Sequence, residues 1–200
     1  MLRAELAPDQ RVVHSDAPPD FSGFLSSGQF SDVLLVCPGG GAGIEAHRIV
    51  LASQSEIFRT ELGDAWSSGA EKGGRVELKM PEDADEEILR HMLCWLYGGG
   101  VALAAGYCGE WVRLLCLAHR YMLPGLVEEC SRQLLKGLDS EPENAGALLE
   151  VAEGLGLERL WCGVAARVLG AAKEAEEDEA LDAVLAGYAA HRERALPKGL

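Results

Sequence analysis

The spacing of apolar residues along this chain changes from that of strands to that of helices. Val33–Cys37 is an apolar, partly β-branched run of the kind that forms strands. Arg75–Met80 alternates between apolar and polar positions, which predicts another strand. The glycine-rich turn at Pro38–Gly43 indicates that Ile44–His47 returns as the hairpin partner of the first strand. We therefore expect three short strands before residue 81.

Helical spacing dominates the rest of the sequence. The first three predicted helices are Asp20–Gly28 with Asp20 as N-cap, Arg48–Ala52, and Glu56–Leu62 with Ser53 or Ser55 as N-cap. The next three run from Pro81 through Tyr97, over Glu110–Tyr121, and from Pro124 onward. Gly63–Gly74 is expected to be a polar loop around one large apolar residue, Trp66. Two further helices, at residues 147–155 and 160–169, have too little apolar surface to be stable alone, so we expect them to pack on the preceding domain. A last amphipathic helix is expected at Leu181–Arg194.

Three motifs within this pattern are specific in combination. They are Ser-Asp-Val at 31–33, Ala-His-Arg-x-Val-Leu-Ala-x-x-Ser-x-x-Phe at 46–58 and Leu-Tyr-x-Gly at 96–99. With them the chain resembles the BTB (POZ) domain over about Asp20–Lys136. Residues 24–32, Phe-Leu-Ser-Ser-Gly-Gln-Phe-Ser-Asp, together with Met80-Pro81-Glu82-Asp83, look most like the stand-alone BTB proteins of fungi. The resemblance implies an α+β fold in which a small, mostly antiparallel sheet is flanked by a helical cluster and followed by an all-α extension.

The resemblance also divides the chain. We expect a flexible N-terminal tail at residues 1–19, the BTB/POZ domain at 20–137, a helical extension at 138–195 and a frayed end at 196–200. Residues 142–170, which include Glu143-Asn144-Ala145, resemble the extension that follows MATH-BTB domains, the start of the BACK region. We recognise no MATH, Kelch, zinc-finger or ankyrin module that would capture a substrate.

Charge and composition narrow the functional classes. The formal net charge of −14 repels phosphate backbones, and Lys and Arg form no basic stripe, so we expect no nucleic-acid partner. No apolar run approaches the roughly 18 residues that span a bilayer, and Met1–Asp20 has no secretion signal. The six cysteines form no Cys-x-x-Cys pair, which favours reduced thiols and a cytoplasmic or nuclear location.

Candidate residues for self-association come from the resemblance. In BTB proteins the residues that match Asp32 and Arg48 form a charged pocket near the dimer interface, and two ionised groups in an apolar setting are tolerated only together. The same pair could instead do no more than fix the hairpin to the following helix. We expect a homodimer interface at four apolar residues that a lone domain would leave partly exposed, namely Phe21, Phe24, Leu25 and Phe30.

A second hypothesis from the resemblance concerns a cullin-type scaffold of a ubiquitin ligase. Cullin-binding BTB adaptors often carry a hydrophobic-x-Glu motif in the loop that corresponds to Gly63–Gly74. Here the apolar position falls on Trp66, and Ser68 stands where the glutamate is expected. Trp66 could plug a pocket on a partner or fold back onto its own domain. The candidate cullin contacts are Glu61, Leu62, Trp66 and Tyr121.

Catalytic and metal chemistry have little support in the sequence. His91 and Cys94 are three residues apart on one predicted helix, as are Cys116 and His119 on another, so each pair shares a helical face. Core cysteines beside partly exposed histidines explain these pairs better than zinc, because neither has zinc-finger spacing. No nucleophile elbow or dinucleotide fingerprint is present. We expect no enzyme, cofactor or metal, and we interpret His47 as a hydrogen-bonded core histidine.

Two functions stay open at this point. The first is a homodimeric adaptor that links a cullin-type ubiquitin ligase to an unknown protein substrate. The helical extension favours it, because in related adaptors that region lengthens the surface beside the cullin groove. The missing glutamate and the missing substrate domain count against it. The second is a self-associating scaffold or regulatory protein without a ligase role.

Overall fold

The structure is a computed structural model that describes residues 20–38, 41–67, 75–82, 84–98, 100–101, 103 and 108–175. Within them lie three strands: β1 (Val33–Val36), β2 (Ile44–Ala46) and β3 (Val76–Lys79). The helices of these residues are α1 (Ser22–Ser27), α2 (Arg48–Gln54), α3 (Glu56–Ser67), α4 (Glu86–Leu96), α5 (Cys108–Arg120), α6 (Pro124–Gly137), α7 (Ala145–Gly154) and α8 (Glu158–Ala175), with a 3-10 turn at Pro142–Asn144. The expected tail at 1–19, the helix at 181–194 and the frayed end at 196–200 lie outside the described residues.

The sheet is small and mixed. β1 is central, β2 pairs with it antiparallel so that Val33 lies opposite Ala46, and β3 pairs with it parallel so that Val33 lies opposite Val76. The α+β class with a helical majority is confirmed, but only one of the two strand pairings is antiparallel. Because α2 and α3 separate β2 from β3 in the chain, they supply the crossover that a parallel pairing requires.

Residues at the element ends decide the exact bounds. Gly43 enters β2 with φ 74°, and a Cβ there would lie 2.9 Å from the Leu34 side chain, so the hairpin favours glycine at this position. Helix α1 begins one residue later than an Asp20 cap requires, although Asp20 Oδ1 still accepts the Ser22 backbone N–H at 2.9 Å. Gly28 ends α1 with φ 63°, as expected.

The predicted start of α4 and the predicted end of α3 were wrong. Helix α4 begins at Glu86 and not at Pro81, because Asp85 is the residue whose side chain caps it, accepting the Glu87 backbone N–H at 2.8 Å. Helix α3 continues to Ser67, so Trp66 belongs to a helix and not to a loop. A glycine inside a helix costs only about 1 kcal/mol, which is too little to end α3 at Gly63.

The core lies between the sheet and the helices that surround it. Val33 and Leu35 of β1 and Phe58 of α3 are fully buried, and the Phe58 ring stacks on Tyr121 with centroids 4.3 Å apart. Of the two predicted caps of α3, Ser53 and Ser55, the structure selects Ser55, since its Oγ accepts the Phe58 backbone N–H at 3.2 Å. The same hydroxyl donates to the carbonyl oxygen of Tyr121 at 2.7 Å, which joins α3 to the end of α5.

The last two helices pack on each other, and α8 packs on α6. Leu160, Trp161 and Val164 of α8 are buried at this contact. Gly163 of α8 lets this helix approach α6 closely, because a Cβ there would lie 2.9 and 3.0 Å from the two methyl carbons of Leu135. The extension therefore shares the core of the preceding helices, while the expected domain boundary near residue 138 stays a prediction.

Candidate functional site

Three of the four phenylalanines of the chain lie on its surface. Phe21 is 39%, Phe24 42% and Phe30 84% exposed, whereas Phe58 is buried. Ile49 of α2 lies beside them and is 78% exposed. Large apolar side chains usually lie inside, so a group of exposed ones indicates a surface that binds another molecule. We call Phe21, Phe24, Phe30 and Ile49 the aromatic surface.

A cleft of about 420 Å³ lies within the aromatic surface, and His47, Val50, Ser53 and Gln54 complete its lining. The Ser53 hydroxyl donates to the carbonyl oxygen of Val50 at 2.8 Å, and the Gln54 amide nitrogen donates to the carbonyl oxygen of Leu96. These polar groups already have partners within the chain. The cleft therefore suits an apolar occupant better than a polar one.

His47 connects the separate segments that carry the aromatic surface. The Tyr97 hydroxyl accepts the backbone N–H of His47 at 2.8 Å and lies 2.8 Å from its Nδ1, while Nε2 lies 2.7 Å from the carbonyl oxygen of Gln29. Burial raises the pKa of Tyr97 to about 12, so its hydroxyl keeps its proton. Because the carbonyl oxygen of Gln29, next to Phe30, can only accept, Nε2 carries the hydrogen of that bond, and in the Nε2–H tautomer Nδ1 accepts from the Tyr97 hydroxyl.

The same two residues also hold α1 in place. The backbone N–H of Phe21 donates to the carbonyl oxygen of Tyr97 at 2.8 Å, and the ring of Phe24 meets the ring of His47 edge-on at 6.1 Å between centroids. His47 is buried with both ring nitrogens hydrogen-bonded, as the sequence indicated. Sequence reasoning missed the hydrogen bonds between Tyr97 and His47, because the two residues lie 50 positions apart and no local pattern joins them.

Asp32 and Arg48 form the predicted pair where β1 and α2 begin. Asp32 Oδ1 accepts the backbone N–H of Arg48 at 2.8 Å, and Oδ2 accepts its Nε–H at 2.9 Å. The Arg48 side chain is 25% and the Asp32 side chain 33% exposed, so the pair is only partly buried. One carboxylate thus ties the hairpin to the start of α2, where the helix dipole favours negative charge. Its role in a dimer stays a prediction.

The structure changes the set of surface residues in two ways. Leu25 is half-buried and packs against the core, so it offers less surface than the three phenylalanines. Ile49 was missed, although the sequence held a signal for it. Ile49, Val50 and Leu51 are consecutive apolar residues of α2, and successive helical residues point in different directions. Leu51 is fully buried, and Ile49 faces away from the core.

A second apolar cavity, of about 750 Å³, lies between the start of α6 and the start of α8. Met122, Val127 and Leu157 are among its lining residues, together with His119 and Arg159. Met122 is 60% exposed and has φ 51°, so a methionine in a left-handed conformation stands at the edge of this cavity. We call this cavity the α6–α8 groove. The helical extension supplies one of its two walls.

Two of the four candidate cullin contacts do not fit the structure. Leu62 is 3% and Tyr121 2% exposed, because both belong to the core, and we remove them from the proposed contact. Glu61 is exposed on α3, where desolvation raises the pKa of its carboxyl. Only the backbone of Trp66 is described, so its predicted contact stays a prediction, and Ser68 lies outside the described residues.

Metal, membrane and disulfide chemistry have no support in the part of the chain that the structure describes. No group of three or more His, Cys, Asp or Glu side chains there lies close enough to hold a metal ion. The described helices include none that is long and apolar enough to cross a membrane. No disulfide joins the five cysteines whose side chains are described. Burial raises the pKa of Cys37 and, to about 12, that of Cys130.

The chain is similar to one protein family and to several known proteins. The family model described as the BTB/POZ domain matches residues 21–138, more than half of the chain. Kelch-like protein 11 of Homo sapiens is 36% identical over 120 residues, which are 56% of this chain and 16% of that protein. A BTB/POZ domain-containing protein of Arabidopsis thaliana is 34% identical over 110 residues, 54% of this chain and 37% of that protein. The chain thus spans only a minor part of these curated relatives.

Among solved structures, the BTB domain of zebrafish PATZ1 is similar to this chain. It superimposes with a TM-score of 0.43 at 21% sequence identity, over 56% of this chain and 82% of that one.

Proposed function

The chain belongs to the BTB/POZ domain family, and from this premise we propose that it is a homodimeric adaptor that joins a cullin-type ubiquitin ligase to another protein. The BTB domain is a protein–protein interaction module. One observation carries the proposal: the chain presents two apolar surfaces that share no residue, the aromatic surface beside α2 and the α6–α8 groove. An adaptor needs two such surfaces, because it holds two molecules at once.

The aromatic surface supports self-association. Its exposed phenylalanines and Ile49 form one contiguous patch that would be removed from water when two copies meet. The pair of Asp32 and Arg48 lies beside it and is partly exposed in a single copy. Burial of that pair in a dimer would be tolerated because each charge already has its partner.

The α6–α8 groove supports the ligase role. In the adaptors that this chain resembles, the helical extension lengthens the surface beside the cullin groove, and here the extension packs on α6 and forms one wall of an apolar groove. The hydrophobic-x-Glu motif lacks its glutamate, since Ser68 stands there. We therefore expect weaker binding than in adaptors that carry the complete motif.

The second candidate function is a self-associating scaffold without a ligase role. The burial of Leu62 and Tyr121 favours it, because it leaves Glu61 and Trp66 as the remaining contacts that the sequence suggested. This alternative requires the aromatic surface but makes no use of the α6–α8 groove.

Light scattering of the purified chain, with calorimetric titration by a cullin N-terminal domain, tests the proposal. We expect a dimer at micromolar concentration and binding of the cullin. Met122→Glu should weaken cullin binding more than tenfold and leave the dimer intact, because Met122 is exposed in the groove. Ile49→Glu should do the reverse. Ala147→Glu, at an exposed position of α7, is the matched control and should change neither.

Trp66→Ala examines the sequence-based contact in the same titration. A buried aromatic anchor contributes about 2 kcal/mol or more to binding, so we expect more than a tenfold loss of cullin affinity. If the wild type shows no complex at tens of micromolar, which corresponds to roughly −6 to −7 kcal/mol, the ligase role is abandoned and the scaffold role stands. If the wild type is a monomer at all concentrations, both functions are abandoned.

A further inference from the structure

We propose that Phe30 is the anchor of self-association, and that the ring of each copy's Phe30 enters the cleft of a second copy. The inference rests on the proposed self-association and adds which residue and which cavity make the contact. Phe30 stands at the rim of the cleft and is 84% exposed, so one copy carries a projecting ring and a cleft side by side.

The backbone at Phe30 is strained in a way that exposes the ring. Phe30 has φ 63°, in the left-handed region that bulky residues avoid. Two hydrogen bonds hold the turn, one from the Ser31 backbone N–H to the carbonyl oxygen of Gly28 at 3.2 Å and one between His47 Nε2 and the carbonyl oxygen of Gln29 at 2.7 Å. Strain that a structure maintains at an exposed residue indicates a functional position.

The same turn contains another unfavourable feature. Among the described residues, the Ser31 hydroxyl is the buried side-chain group that has no hydrogen-bond partner. Buried polar groups normally have one, so an exception needs an explanation. Among the described side chains, the ring of Phe24 meets that of Phe30 at 6.3 Å between centroids, tilted by 51°, and the Phe30 side chain is 84% exposed. In a single copy, therefore, neither a hydrogen bond of the Ser31 hydroxyl nor burial of the Phe30 ring offsets the backbone strain of this turn.

The chemistry of the cleft fits an aromatic ring. Its volume of about 420 Å³ is ample for a phenyl group, and its walls are mostly apolar. Both ring nitrogens of His47 and the hydroxyl of Ser53 are already hydrogen-bonded within the chain. A ring that enters would meet Phe24 and Ile49 without displacing a polar partner. Aromatic rings that fill such pockets are the usual anchors of protein interfaces.

Charge indicates that the occupant is a second copy of this chain. The formal net charge of −14 makes two copies repel each other over most of their surfaces. Residues 21–31 contain no charged side chain, and residues 47–55 contain only Arg48, which Asp32 balances. Two copies can therefore meet here without repulsion. Because the ring and the cleft lie on one face, a twofold axis lets each copy give one ring and receive one.

Phe30→Gly removes the ring together with the backbone strain. We expect it to weaken self-association at least about tenfold, as loss of an interface anchor does, without lowering the thermal stability of the monomer. Met122→Gly is the matched control, since Met122 also has a positive φ, 51°, and is 60% exposed but does not line the cleft. It should leave self-association unchanged. Analytical ultracentrifugation measures the dimer dissociation constant of each variant.

Mixing two variants tests the insertion itself. Ser53→Trp, at an exposed position of the lining, fills the cleft but keeps the Phe30 ring, whereas Phe30→Gly lacks the ring and keeps the other lining residues of the cleft. Each variant alone should associate weakly, and an equimolar mixture should associate more tightly than either, because one ring then meets one open cleft. A mixture no tighter than its components overturns the inference, as does Phe30→Gly with wild-type affinity. Either result leaves the proposed function standing if the wild type dimerises. A monomeric wild type overturns the inference and the proposed function together.

Discussion

Removal of the Asp32 carboxylate has an effect whose size follows from its two hydrogen bonds. Its Oδ1 accepts the first backbone N–H of α2 at 2.8 Å, and its Oδ2 accepts the guanidinium Nε–H of Arg48 at 2.9 Å. Loss of a side-chain acceptor at a helix start typically costs about 1 kcal/mol. An ion pair with side chains 25% and 33% exposed contributes at most about 1 kcal/mol. Asp32→Ala should therefore lower the free energy of unfolding by about 2 kcal/mol.

The isosteric change separates the two contributions. Asp32→Asn keeps an oxygen that can accept the Arg48 backbone N–H but removes the negative charge, so we expect a loss of about 1 kcal/mol. Glu45→Ala is the control, because Glu45 pairs with Arg75 at 2.6 Å with side chains 39% and 45% exposed. That exposed pair should contribute no more than about 0.5 kcal/mol.

Urea unfolding of the variants at low micromolar concentration measures these differences. In thermal unfolding, the same loss of about 2 kcal/mol corresponds to a fall in Tm of roughly 4–8 °C for a chain of this size. If Asp32→Ala costs no more than Glu45→Ala, the Asp32 carboxylate does not support the start of α2. If Asp32→Asn costs as much as Asp32→Ala, the charge and not the acceptor accounts for the whole effect.

Three other predictions concern packing, pH and salt. Gly170→Ala should stabilise α8 by about 1 kcal/mol through helix propensity. Gly163→Ala should stabilise it less, because its Cβ would press on the methyl groups of Leu135, and equal effects in thermal unfolding would contradict the close helix contact. Burial raises the pKa values of Cys130 and Tyr97 to about 12. The unfolded chain therefore loses these two protons at a lower pH than the folded chain does. The free energy of unfolding should consequently fall as pH rises from about 9 to 12. Urea unfolding across that range should show a shallower fall for Cys130→Ala, and an unchanged slope would show that the thiol is exposed. Self-association measured by ultracentrifugation should tighten between low and high salt because salt screens the repulsion of two chains of charge −14, and a weakening would point to charge attraction instead.

The sequence by itself determined the family and the local elements. The strand at Val33, the returning strand after the glycine turn and the helix that Pro124 opens follow from residue spacing and from residues with fixed backbone preferences. The contact between Asp32 and Arg48 and the hydrogen-bonded state of His47 also followed from the motifs. These features depend on neighbours in the chain or on a pattern that the whole family shares.

Tertiary structure alone decided which apolar residues are exposed. Leu62 and Tyr121 looked available to a partner, but both are buried in the core, where Tyr121 stacks on Phe58 of α3. Ile49 was not among the predicted surface residues and is 78% exposed. Spacing shows that a residue has neighbours on one face, yet whether a distant element covers that face depends on how elements far apart in the chain pack together. The bond between His47 and Tyr97, and with it the shape of the aromatic surface, exists only after that packing.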